Sequence, residues 1–270
     1  MMNSAEQNSR KILLNGVKRG NFFIPFPFTF SLRTGFTLAE VLITLGIIGV
    51  VAAMTIPTLM ANYQKTQYVT GLKKFYTNWS SSLSEMATDA GTPGDLSSFQ
   101  TSANDTTIGN NVAAYFKVIK NCQLTAATGC FSHDKASNID GSGRSIGLGL
   151  DDPSSGGYRF RTLDGMSYWI LSSMGGAQNC NTAFGASEPT AHSCFLMAVD
   201  TNGDSMPNTE GRDIFWFFVT QKAPFLYPRG GALYNPWQTN GCNDGYNSMT
   251  NKVGLNCAGR VMEEGWQMKY

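Results

Sequence analysis

The sequence is poor in the residues and motifs that most enzymes use for catalysis. Its 270 residues include only two histidines, His133 and His192. These form neither an H-E-x-x-H zinc motif nor a pair at helical spacing. A G-x-S-x-G nucleophile turn is also absent from the sequence. We therefore expect a protein that is not an enzyme.

Charge is scarce as well. The net charge is only +1, and charged residues make up 14% of the chain. Residues 1–35 contain five basic residues and one acid, a net charge of +4, which leaves −3 for the remainder. Because a nucleic-acid-binding protein needs a dense basic face, we expect no nucleic-acid partner.

The cysteines lack the C-x-x-C spacing of metal and redox motifs. Their number is even and all six follow residue 120, which is typical of disulfides in an oxidising compartment. We expect cysteines that are neighbours along the chain to pair, although six cysteines permit many other connectivities. The expected bonds are Cys122 with Cys130, Cys180 with Cys194, and Cys242 with Cys257.

One long uncharged run is present, Val41 to Met60, with twenty residues. As a helix rising ~1.5 Å per residue, this run is about long enough to cross ~30 Å of hydrocarbon. The basic residues before it predict a cytoplasmic N-terminus and an extracytoplasmic remainder. The alternative is a signal peptide cut near Ala52 and Ala53, but its apolar core would be shorter. Glu40 stands at the front of the run, where a carboxylate usually marks a functional contact.

The stretch GFTLAEVLITLGIIGVVAAMTIP resembles the leader junction and N-terminal helix of type IV pilins and type II secretion pseudopilins. In that family the leader is cut after a glycine, the new N-terminus is methylated, and a glutamate is the fifth mature residue. The resemblance implies cleavage between Gly35 and Phe36 and N-methylation of Phe36. It also implies that Glu40 neutralises the amine of Phe36 in a neighbouring subunit, since an isolated subunit would leave both charges poorly paired.

The resemblance further implies a structural subunit of a type IV pilus or a type II secretion filament. The protein would span the bacterial inner membrane once and then enter the filament. Its partners would be a prepilin peptidase and methyltransferase, other pilin or pseudopilin subunits, an inner-membrane assembly platform and membrane lipid. Pro57 matches a proline of these helices, and Gly46 and Gly49 weaken the same region. An ordinary membrane helix tolerates these three residues equally well.

Three regions follow from this interpretation: a removed leader over 1–35, a long helix over 36–90 and an extracytoplasmic head over 91–270. The helix would be transmembrane over 36–60 and amphipathic over 61–90, since apolar residues recur there at three- and four-residue spacing. These residues are Tyr68, Leu72, Phe75, Tyr76, Trp79, Leu83 and Met86.

Short β-rich runs in the head predict an antiparallel sheet. Asp164-Gly165 between two such runs predicts a hairpin over 158–171. A second pair of strands is expected over 194–200 and 213–220, whereas 112–119 fits either a helix or a strand. The predicted fold class is α+β and pilin-like, with a long N-terminal helix packed on an antiparallel sheet and disulfide-stapled loops.

Two features of the head suggest ligands. Oxygen-bearing side chains alternate in the loop 200–213, and some major pseudopilins bind calcium in such a loop. The alternative is a loop whose carboxylates cap backbone donors. The candidate calcium ligands are Asp200, Asn202, Asp204 and Asp213.

Aromatic residues near the C-terminus, Trp237, Tyr246, Trp266 and Tyr270, would suit either sugar stacking or packing within loops. The competing function is therefore a monomeric, signal-anchored surface protein whose head binds calcium or a glycan.

Overall fold

The computed structural model describes residues 35–98, 104–125, 129–130, 136–139, 141, 156–172, 180, 192–203, 205–233, 236–242 and 254–270. The chain divides into two compact units, residues 1–52 and residues 53–270. The helices are α1 (Leu38–Asp89), α2 (Asp105–Ala113), α3 (Trp237–Asn240) and α4 (Cys257–Glu263). The strands are β1 (Val118–Gln123), β2 (Tyr158–Thr162), β3 (Ser167–Ser172), β4 (Ser193–Asp200), β5 (Ile214–Thr220) and β6 (Leu226–Pro228).

The six strands form one antiparallel sheet in which each strand pairs with the next along the chain. The predicted hairpin is confirmed: β2 pairs with β3, and Gly165 in their turn has φ +88°, a conformation that glycine adopts without steric cost. The second predicted pair is confirmed as β4 and β5. The ambiguous segment 112–119 contains both the end of α2 and the start of β1.

In the second compact unit, α1 packs one face onto the sheet. Its buried side chains recur at three- and four-residue spacing, because one side of a helix returns to the same direction at that interval. The Phe75 ring centroid lies 4.9 Å from that of Phe217 on β5, and the Trp79 centroid lies 5.3 Å from that of Tyr168 on β3. The buried residues of α1 are Val69, Leu72, Phe75, Trp79, Leu83, Met86 and Ala87.

The opposite face of the sheet is also buried. Trp169 on β3 and Trp216 on β5 pack edge to face there, with ring centroids 5.4 Å apart, and residues such as Ala136 and Leu255 pack against them. Consequently every residue of β4 and β5 is buried, and their sequences read as continuous apolar runs rather than as an alternation.

Three disulfides join loops to this core: Cys122–Cys130, Cys180–Cys194 and Cys242–Cys257. This is the pairing of neighbours that the order of the cysteines predicts. With one long apolar N-terminal helix, a six-stranded antiparallel sheet and three disulfides, the fold is α+β and pilin-like, and the predicted fold class is confirmed.

Candidate processing and assembly site

The predicted cleavage junction lies just before α1. Gly35, Phe36 and Thr37 have no regular secondary structure, and the Phe36 side chain is 88% exposed. An added Cβ at Gly35 would meet no atom of the described residues within 4 Å. Because proteolysis favours exposed, non-helical backbone, these features suit cleavage between Gly35 and Phe36, which stays a prediction. The leader residues before Gly35 lie outside the described residues.

Glu40 lies in the first turn of α1 and forms a capping box with Thr37. The backbone N–H and the hydroxyl of Thr37 donate to Glu40 Oε2 at 2.8 and 2.9 Å. In return the Glu40 N–H donates to Thr37 Oγ1 at 3.2 Å. This reciprocal pattern satisfies backbone donors that the first turn of a helix leaves free. The carboxylate is thereby held pointing back toward the start of the helix.

Thr37 is a residue that the sequence interpretation missed. The signal was present, since T-L-A-E has the spacing of a capping box, in which a threonine is followed three residues later by a glutamate. The structure adds to the expectation for Glu40 that its carboxylate accepts two hydrogen bonds from its own chain. Both donors are neutral, and within the described part of the chain no cation forms an ion pair with Glu40.

The first half of α1 presents apolar side chains outward. An 18-residue window of α1 has a mean hydropathy of 2.2 and none of it is buried, and α1 is the one described helix that is long and apolar enough to cross a membrane. An added Cβ at Gly46 or Gly49 would meet nothing within 4 Å, so both glycines leave open space that suits a close neighbouring helix. Pro57 lies inside α1, where it has no N–H to donate to the carbonyl of Ala53.

A family comparison identifies this region. The model of the prokaryotic N-terminal methylation motif matches residues 31–56, a range that contains Gly35, Phe36 and Glu40. This chain carries the type IV pilin and pseudopilin signature. Comparison with curated proteins and with solved structures gave no match. The signature ends before the amphipathic half of α1, so the head must be interpreted from its own geometry.

In the predicted calcium loop, the carboxylates of Asp200 and Asp213 accept hydrogen bonds from backbone N–H groups of the same loop. Asp213 is fully buried; its Oδ1 accepts from the Thr209 N–H at 2.6 Å and its Oδ2 from the Asn208 N–H at 2.9 Å. Burial raises the pKa of Asp213, and the N–H donors of Thr209 and Asn208 oppose that rise. Asp200 accepts from the Asn202 N–H at 3.1 Å, an Asx-turn.

These contacts match the capping alternative for the loop. Among the described residues there is no group of three or more His, Cys, Asp or Glu side chains suited to a metal ion. Asp204 lies outside the described residues. Calcium binding at Asp200, Asn202, Asp204 and Asp213 stays a prediction.

The described C-terminal aromatics pack against protein groups. The guanidinium of Arg260 lies 4.8 Å from the ring centroids of both Trp237 and Tyr270, a distance suited to cation–π attraction. The Trp266 ring meets Tyr76 of α1 edge on, with centroids 5.4 Å apart. These contacts favour packing within loops over sugar stacking. Tyr246 falls outside the described residues.

Proposed function

We propose that this protein is a structural subunit, a pilin or pseudopilin, of a type IV pilus or type II secretion filament. It is made as a precursor, cut between Gly35 and Phe36, methylated at Phe36 and held in the bacterial inner membrane by the first half of α1. The observation that carries the proposal is the match to the methylation motif at residues 31–56. The exposed junction and the first-turn carboxylate of Glu40 support it.

The capping box suggests how Glu40 acts in assembly. Cleavage would free the amine of Phe36, one residue before Thr37. The carboxylate of Glu40 is already directed toward this end of the helix by two hydrogen bonds from Thr37. A cationic amine from a neighbouring subunit would meet an oriented anion, and in a low-dielectric environment their attraction is far stronger than in water. The pair would therefore favour one axial register between packed helices.

Two observations support an extracytoplasmic head. The basic residues precede the apolar run, which by the positive-inside rule places the N-terminus in the cytoplasm. The three disulfides all lie in the head, and disulfides persist in oxidising compartments. The head would then be available to partners outside the inner membrane, while the platform and peptidase act on the N-terminal segment.

Intact mass and N-terminal sequence of the membrane-extracted chain test the proposal. We expect a mature chain that begins at N-methylated Phe36 when a prepilin peptidase is co-expressed. The matched control is expression without the peptidase, which should retain the leader. An intact leader in the presence of the peptidase, or cleavage after Ala53, would reject the proposal in favour of a monomeric surface protein.

A further inference from the structure

A cavity of about 480 Å³ lies beside α1 immediately after the apolar run. Its walls come from α1, from Ile139, from the connection between β4 and β5, and from the C-terminal residues of the chain. The two cations that line it are Lys65 on α1 and Arg212 on the connection. Within the described part of the chain, neither side chain takes part in an ion pair. The cavity therefore offers two positive charges to a ligand.

The rest of the lining includes neutral polar groups and apolar side chains. Tyr68 and Gln64 add polar groups from α1, and Met206 and Met268 add apolar surface. Burial raises the pKa of Tyr68, so its hydroxyl keeps its proton at neutral pH and can donate. Asp213 does not line the cavity, but its negative charge also contributes to the raised pKa of Tyr68. An amphiphilic anion thus suits the cavity better than a wholly polar one.

The cavity lies a short distance along α1 from the end of the apolar run at Met60. Lys65 follows Met60 by five residues, about 7 to 8 Å along a helix axis. The headgroup layer extends roughly 5 to 8 Å beyond the hydrocarbon on each side of a bilayer. If Met60 marks the end of the membrane-spanning run, Lys65 lies at the depth of lipid phosphates. A cation at this depth lies within a few ångströms of the phosphates of anionic lipids and is attracted to them.

We propose that this cavity binds the phosphodiester headgroup of an anionic phospholipid from the leaflet in which α1 ends. Lys65 and Arg212 contact the phosphate, the Tyr68 hydroxyl donates to it, and Met206 and Met268 contact the glycerol and upper acyl carbons. The bound lipid holds the head of the membrane-inserted subunit against the bilayer. This inference rests on the membrane anchorage in the proposed function, but not on leader cleavage or filament assembly.

Native mass spectrometry of the full-length protein in detergent tests the site with three probes: phosphatidylglycerol, phosphatidylcholine with the same acyl chains, and inorganic phosphate. We expect phosphatidylglycerol to be retained in preference to phosphatidylcholine. Each of Lys65→Gln and Arg212→Gln should lower phosphatidylglycerol affinity about fivefold, and the double variant about 25-fold. Lys65→Arg, which keeps the positive charge, should retain phosphatidylglycerol as wild type does. Lys222→Gln, an exposed lysine outside the cavity, is the matched control and should behave as wild type.

Three outcomes would overturn the proposal. Equal retention of the two lipids would show that the cavity does not recognise the net negative charge of the phosphatidylglycerol headgroup. Unchanged retention in the double variant, with its head melting as wild type, would place the lipid elsewhere. Inorganic phosphate alone binding as tightly as phosphatidylglycerol would assign the cavity to a soluble anion. A chain that keeps its leader yet binds phosphatidylglycerol as expected would instead count against the proposed function alone.

Discussion

Gly109 shows how a single residue sets the distance between an element and the sheet. It lies in α2, and an added Cβ would be 1.9 Å from Cγ of Tyr158 on β2. The hydroxyl of Tyr158 donates to Asn110 Oδ1 at 2.6 Å, so the ring is held in place from the same helix. Glycine is therefore required by close packing rather than by backbone conformation.

We expect Gly109→Ala to lower the free energy of unfolding by about 2 kcal/mol, the usual cost of overpacking. Helix propensity alone would raise the free energy of unfolding by about 1 kcal/mol. The sign of the measured change therefore distinguishes overpacking from helix propensity. Urea unfolding of the full chain in detergent, followed by tryptophan fluorescence, measures the change. Asn111→Ala on the same helix is the control and should change stability by under ~0.5 kcal/mol. A stabilised Gly109→Ala variant would contradict the close packing.

Asp213 is a second residue whose role depends on its immediate contacts. Since each carboxylate oxygen accepts a backbone N–H inside the protein, Asp213→Ala should leave two buried donors without an acceptor, at a cost of about 2 to 4 kcal/mol. Measured in buffer with chelator, where no calcium can bind, this loss reports the two hydrogen bonds alone. Thermal melting of the wild type with calcium and with chelator tests the separate calcium prediction. A rise in the midpoint with calcium that Asp204→Asn abolishes would support a metal site.

At the scale of elements, α1 contributes a continuous aromatic and aliphatic face to the core of the head. Phe75 lies at its centre, with its ring near Phe217, Trp79 and Tyr168, and it is fully buried. We expect Phe75→Ala to cost about 3 to 5 kcal/mol, because the cavity left behind adds to the lost burial. The same fluorescence measurement applies. Thr77→Ala, two residues away on the exposed side of α1, should be near neutral, and similar losses in both variants would show that α1 is not docked as described.

The elements that could be predicted from sequence are those with local signals. Asp164-Gly165 marks a two-residue turn, and the apolar spacing of α1 identifies its buried face. The polar strand β1 has no such signal, because it becomes a strand only by pairing with β2. The position of α2 depends on Asp105, which accepts from the Gly157 N–H and the Ser172 N–H. These contacts join residues far apart in the chain, so no local pattern reports them.

The candidate functional residues also differ in whether a local sequence pattern predicts them. Gly35, Phe36 and Glu40 are predicted from a short motif, and the Thr37 capping box has an equally local signature. The cavity at Lys65 and Arg212 joins α1 to a connection almost 150 residues later, and only the folded head brings those cations together. Local motifs therefore report processing and helix capping, whereas ligand sites in the head require the tertiary fold.

At the scale of the whole molecule, the two halves of α1 differ in how their apolar side chains are covered. The apolar side chains of α1 up to Met60 are largely exposed, whereas the buried face of its later half belongs to the core of the head. An exposed apolar surface of this extent requires either lipid or other helices. Under the proposed function, this surface would contact lipid in the membrane and neighbouring copies in the filament, while the head stays folded.

Glu40 is where this exchange can be tested. Glu40→Gln keeps a side-chain oxygen that can accept from Thr37 but removes the charge, whereas Glu40→Ala removes both. If pairing with a neighbour's Phe36 amine drives assembly, both variants should lower the filament fraction at least tenfold, because each leaves that amine without a counter-charge in a low-dielectric environment. Immunoblots of sheared filaments against membranes measure that fraction, with mass spectrometry confirming leader cleavage in every variant. Thr37→Val, which keeps the charge and loses the hydroxyl, is the matched control and should assemble more fully than either. Wild-type assembly by Glu40→Gln would show that the hydrogen bonds to Thr37, and not the charge, are what the filament needs.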